Sequence, residues 1–341
     1  EAISALQSGK YDPDKVAIGM AKYQGDCRLT HYSALLRRAL DAAGFTQVPI
    51  VSTDPVDYKE MHPGIKLGNM FNIATVWAVV IMDILEELRR KIRPYEINAG
   101  ETNRIFDEAI DRISAALVTS TTKAVKEFKV AIEKFTKIKY DRTNLKPRVF
   151  ITGEYLVTFH PGSNFYVEEY LEKNGMEVIL PRMINVFWKD FHSRICEMKD
   201  YKVKFPLDQG PFSFVVEGLI NVALTTCEKI AEVHPLYKKI VRLPALAIEN
   251  NHVMERTFLS GEGWLIPGEI REFARDGVTS FVILQPFGCL PNHITGRGSM
   301  KKIKEEFPAI QILPLDLDPD TSFANVENRL QMLIMNEKNR H

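Results

Sequence analysis

Apolar residues along the chain keep two different periods, and the place where one gives way to the other organises the molecule. Near the start, "KVAIGMA" (15–21) is a short apolar run. A polar loop, "KYQGDCRLT", follows, and then "HYSALLRRALDAAG" repeats apolar residues at helical spacing with Gly44 as a stop. "QVPIVST" resumes as a strand. From about residue 65 to 145 the strand pattern disappears. "NMFNIATVWAVVIMDILEELRRKI" predicts a long helix ended by Pro94, and 101–138 predicts one very long helix or two joined near Thr119–Thr122.

From Lys146 the alternation returns. "PRVFITG", "MEVILP", "VTSFVILQPF" and "IQILPLDL" read as strands, and "KIVRLPA" as a weaker one. Helical patterns lie between them at about 163–175, 184–199, 211–233, 267–277 and 297–307, and a last one closes the chain. Strands separated by helices predict an α/β protein with a parallel sheet covered on both faces. The expected division is an α/β segment over 1–64, a long helical insertion or subdomain over 65–145, and an α/β domain over 146–341.

Charge and composition narrow the partners. Forty-four basic and 44 acidic residues cancel among 341, which removes the electrostatic case for nucleic acid or an anionic membrane surface. No run reaches the roughly 18 uncharged residues of a membrane span; the best, "MFNIATVWAVVIMDILEEL", meets acid at Asp83. Cysteines at 27, 196, 227 and 289 are widely spaced, without a CxxC pair or an opening signal peptide. A reducing, cytoplasmic setting is expected. Beginning at Glu1 rather than Met, the chain reads as a piece of something longer.

In open α/β sheets ligands gather beyond the carboxyl ends of the strands. Four loops leave such ends, carrying Gly25–Asp26–Cys27–Arg28, Gly153–Glu154, Gly288–Cys289, and Asp316 with Asp318. Two deliver a cysteine just after a glycine and just before a helix, where a thiolate is favoured. Three uses stay open for Cys27 and Cys289: ligands of an iron–sulfur cluster, a nucleophile formed by Cys289 with His293 as base, or plain free thiols. Cys196 and Cys227, among apolar neighbours at helical spacing, are expected in the core. "TFHPGSNFYVEEYL" offers Ser163 or Asn164 as a helix cap beside backbone N–H groups that suit an anion. "GRGS" (296–299) is a weak phosphate cradle, and "RRKIRP" (89–94) reads as a solvated helix end. No P-loop, zinc-type spacing or GxSxG elbow occurs.

Several stretches together resemble one family. "GDCRLTHYSALLRRALDAAGF", "KIRPYEINAGET", "RVFITGEYLVTFHPGSNFYVEEYLEKNGMEVILP", "GEGWLIPGEI", "QPFGCLPNHITGRG" and "DLDPDTSFANVENRL" are similar to the activase-related proteins of the 2-hydroxyacyl-CoA dehydratase system. More narrowly, they resemble the C-terminal, dehydratase-like region of the large fused proteins in which ATPase activator modules come first. The resemblance runs from about residue 15 to 332 and is most specific at the Cys27 and Cys289 loops and at "RPYE".

That resemblance implies flavodoxin-like or Rossmann-like α/β layers around a 4Fe–4S cluster, bound through three cysteines with one iron open. It implies an activator that works as a homodimeric ATPase and injects one electron, so that a 2-hydroxyacyl-CoA thioester loses its hydroxyl. By the same token Cys289 and Cys27 are the implied metal ligands. Glu154, Ser163, Asn164 and His293 are the candidate substrate contacts from the residues themselves, and the upstream activator modules are the partners that the resemblance implies. The family's upstream cysteine-rich stretch and the activator's phosphate motifs are absent from these 341 residues.

Overall fold

The computed structural model describes residues 2–20, 27–52, 68–207, 209–318, 320 and 322–340. It falls into two compact units, Glu1–Asn69 and Met70–His341. The first carries helix α1 (Ala2–Gln7), strand β1 (Ile18–Met20), helix α2 (Leu29–Ala42) and strand β2 (Ile50–Ser52). Its two strands pair in parallel, and Leu6, Leu40, Val48 and Ile50 form its small core.

The larger unit is an α/β assembly. Its sheet contains β3 (Arg148–Gly153), β4 (Glu177–Ile179), β5 (Ser280–Pro286) and β6 (Gln311–Leu317). All pairs are parallel, in the order β4-β3-β5-β6. Numbered within this sheet the order is 2-1-3-4, the doubly wound arrangement of flavodoxin-like folds without a fifth strand. The two central strands are buried almost throughout, as strands covered on both faces must be. One face packs Val149, Ile151, Val282 and Leu284 against helices α7 (Val167–Lys173) and α14 (Phe323–Lys338). The other packs Phe150, Phe281 and Ile283 against α11 (Leu265–Arg275) and α13 (Met300–Glu306).

The helical stretch resolves into α3 (Asn69–Ile92), α4 (Glu101–Leu117) and α5 (Thr121–Phe135). The break falls at Ser120, whose hydroxyl accepts from the Thr122 N–H and caps α5. These helices share one continuous apolar cluster with α8 (Met183–Asp200), α9 (Gly210–Ala231) and α10 (Leu243–Asn250). "RPYE" fastens this layer to the sheet: the Tyr95 hydroxyl donates to the buried Glu177 carboxylate, and the Lys146 N–H donates to Tyr95. Arg142 pairs with Glu177 and lies over the Tyr95 ring.

Three local expectations change. "KIVRLPA" contributes no strand: residues 239–242 are irregular and Pro244 opens α10, a position where its missing N–H costs nothing. "RRKIRP" is an ion-pair network and not a solvated end. Arg90 reaches Glu86 and Glu168, and Arg93 reaches Glu168 and Glu172 on α7. Among the described residues, α9 alone is long and apolar enough to cross a membrane by length and composition. One side of it is buried through Ile220, Ala223, Leu224 and Cys227, against α5 and α8.

Candidate functional site

The sheet's connectivity reverses between β3 and β5, because β3 leads to β4 on one side and the chain then returns to the other. Doubly wound sheets hold ligands in the crevice at that point, beyond the carboxyl ends. The loops that leave β3 and β5 carry Glu154 and Cys289.

Two glycines shape this crevice. Gly153 has φ +139°, and a Cβ there would stand 1.8 Å from the Leu284 carbonyl oxygen. Only glycine allows the strands to close up so that the Glu154 N–H donates to Leu284 at 2.9 Å. Glu154 then caps the short helix α6 (Tyr155–Phe159), its carboxylate accepting from the Val157 N–H. Gly261, at φ +56°, presses on Pro291, whose Cβ would be 2.4 Å from any added Cβ. The 260–264 loop is thereby seated on the Cys289 loop.

Cys289 is partly exposed and precedes the single helical turn α12 (Leu290–Asn292), which runs into a π-turn over His293–Arg297. Its sulfur accepts a 3.6 Å contact from the Asn292 amide, which also donates to Glu262 at 2.6 Å. Glu262 is 4% exposed, and its carboxyl rises to about 7, chiefly through burial, with the Glu154 charge adding to the rise. A carboxyl poised near neutrality is suited to give or take a proton.

The far wall is polar. Gln285 donates to Asp316 at 2.6 Å, and Arg297 pairs with the other oxygen of that carboxylate. The side-chain oxygens of Gln285, Asn292 and Thr295 are buried without a hydrogen-bond partner; a polar guest would satisfy them.

Sequence expectations meet this geometry unevenly. Glu154, Cys289, His293 and Asp316 are brought to one end of the sheet. His293 does not stand as the thiol's base. Its Nδ1–H donates to the Cys289 carbonyl at 2.7 Å, and its Nε2 faces Asp316 at 3.8 Å. Asn164 is buried and turned inward, donating to the Val157 carbonyl and accepting from the Val167 N–H. Ser163 closes its turn on His160. Both are turn-formers, and Asn164 lines a different cleft, of about 1110 Å³, along the β4 edge. "GRGS" is no phosphate cradle, since the Gly298 N–H is spent on the His293 carbonyl within the π-turn. Cys27 lies in the other unit, partly exposed, two residues before α2; Gly25 and Asp26 lie outside the described residues. Glu262 carries no recognisable motif in the sequence beyond a lone carboxylate between two glycines in "GEGW".

The larger unit is thus a doubly wound α/β fold whose switch point is lined by polar side chains, among them Glu154, Glu262, Asn292 and Asp316. No family model, no curated protein and no solved structure matches the chain.

Proposed function

We propose that this chain is a dehydratase-like, iron–sulfur-associated region of an activase-related protein, acting in the cytoplasm in ATP-dependent, low-potential electron transfer for 2-hydroxyacyl-CoA dehydration. The crevice between β3 and β5 would take the small polar part of the substrate. The observation that carries this reading is the partly exposed Cys289 thiol linked through the Asn292 amide to the near-neutral Glu262 carboxyl, at the end of the sheet where such folds hold ligands.

A 4Fe–4S cluster takes three or four cysteine thiolates. The crevice offers Cys289, while Cys196 and Cys227 are buried in the helical layer. Among the described residues no group of three His, Cys, Asp or Glu side chains is placed to hold a metal. The crevice therefore does not fit a complete cluster, and its own residues define a narrower role. Glu262 exchanges a proton near neutral pH, Asn292 links that carboxyl to the Cys289 sulfur, and the Arg297–Asp316 pair orients polar groups. Cys289 would supply one thiolate to a cluster completed by residues outside this chain.

Anaerobic reconstitution with ferrous iron and sulfide tests the ligand role. Iron bound with broad visible absorption in the parent chain, and lost in Cys289→Ser, is the expected result. Iron content indifferent to Cys289 would remove it as a ligand.

A second reading, a non-catalytic interaction module, draws on the outward side of α9, where Phe212, Phe214, Val215 and Val222 are exposed. If that side carries a second copy, Val215→Glu with Val222→Glu should halve the mass seen in sedimentation.

A further inference from the structure

A different cysteine has the geometry of an activated thiol. His192 and Cys196 stand four residues apart on α8, so their side chains share one face. The Cys196 sulfur is 3.5 Å from His192 Nε2, and His192 Nδ1 is 3.1 Å from a carboxylate oxygen of Glu217 on α9. A carboxylate only accepts, so Nδ1 carries a proton, and Nε2 is the nitrogen that shares the thiol proton with the sulfur. Burial alone would raise the Glu217 carboxyl, but the hydrogen bond and charge of His192 outweigh it and hold the group below its ordinary range. Thiol, base and orienting acid follow one another as in a nucleophilic triad.

The surroundings restrict the reagent. Cys196 is 4% exposed and His192 7%. Ser193, on the same helix, donates to the Arg256 carbonyl, and the Arg256 guanidinium pairs with Asp200 close enough to feel charge on Cys196. The segment bearing Arg256 also lines, with Ile294, a hollow of about 260 Å³. So shielded a sulfur cannot seat the carbonyl of a CoA-sized thioester. Hydrogen peroxide or a small organic hydroperoxide is compact enough to reach it.

We propose that Cys196, His192 and Glu217 form a hydroperoxide-reactive thiol centre, a site of cysteine oxidation independent of the Cys289 crevice. His192 Nε2 already holds the thiol proton when the sulfur attacks the outer peroxide oxygen. An S–O bond forms while the O–O bond breaks. The sulfur is oxidised by two electrons to a sulfenic acid, and the peroxide is reduced to water or an alcohol. The leaving oxygen recovers its proton from His192, so no further co-reactant is consumed. Glu217 acts as a positioning residue through His192.

The test treats the whole chain with hydrogen peroxide at neutral pH in the presence of dimedone, with glutathione as internal reference, and follows labelled peptides by mass spectrometry. Cys196 should be labelled ahead of Cys27 and Cys289, although both are more exposed, and faster than glutathione. His192→Gln should slow it by ~100-fold, the contribution of a positioned base. The proposal is overturned if Cys196 reacts no faster than Cys289, if it reacts only after denaturant is added, or if folded His192→Gln reacts at the parental rate. Should His192→Gln fail to fold, the comparison with glutathione in the parent chain decides the matter alone.

Discussion

Glu262 is a carboxyl that the folded chain holds at a cost, and replacing it by glutamine should make the chain more stable above neutral pH. Its proton is bound with a pKa of about 7 in the folded state, against an ordinary value of 4.5. The folded state therefore binds the proton more tightly than the unfolded one, and stability falls as pH rises from about 4.5 to 7, then levels off. Two and a half pH units at about 1.36 kcal/mol each amount to about 3 kcal/mol. Glutamine keeps an oxygen to accept from Asn292 and never ionises. Urea unfolding at pH 4.5 and pH 8 should show Glu262→Gln close to the parent at the lower pH and more stable by up to about 3 kcal/mol at the higher one. A stability difference that stays the same at both pH values would refute the account of this side chain. If the gain in stability comes with weaker binding of a hydroxyacyl-CoA thioester, the cost is the mark of a working carboxyl.

Gly153→Ala should cost at least about 3 kcal/mol in urea unfolding, because the new methyl collides with the Leu284 carbonyl at a backbone angle alanine rarely adopts. Glu168→Ala leaves Arg90 resting on Glu86 and Arg93 on Glu172; a loss of about 2 kcal/mol is expected, and a change below 0.5 kcal/mol would mean solvent already screens the network. Burial would lower the His192 imidazolium, but hydrogen bonds to Cys196 and Glu217 raise it to about 9, so an NMR titration should find its midpoint there and Glu217→Gln should bring it down toward 6.5. Because the folded value is the higher, this stabilisation is complete below about pH 6.5 and is lost as pH rises through 9.

The strands were readable because β3 and β5 are continuous apolar runs closed by Gly153 and by Pro286–Phe287–Gly288, a pattern that sheet burial imposes locally. The carboxyl-end loops were readable for the same reason, since chain polarity alone puts Glu154 and Cys289 at one end. What escaped depends on distance along the chain. Arg90 and Arg93 look solvated until α7 arrives with Glu168 and Glu172, 75 to 79 residues on. Cys196 reads as core and is buried there, but the pairing of its neighbour His192 with Glu217 depends on a separate helix. "KIVRLPA" has strand-forming residues, but the edge strand β4 has only three residues and Pro244 commits the segment to a helix. His293 was read from sequence spacing to Cys289, and the π-turn sends its ring to the backbone carbonyl instead.

The helical layer has a consequence for how the chain is made. Its apolar cluster draws 16 buried residues from Val80 to Ile138 and 14 from Ile184 to Leu265. Although α4 and α5 pack on each other, the two sets belong to one cluster, so α3, α4 and α5 leave the ribosome before the helices that complete their apolar contacts. At roughly 10 residues per second, on the order of ten seconds pass between the emergence of Phe135 and that of Leu265. During that interval the nascent chain is a natural client for a chaperone that holds amphipathic helices, and synonymous changes that slow translation between 140 and 260 should lower the yield of folded protein.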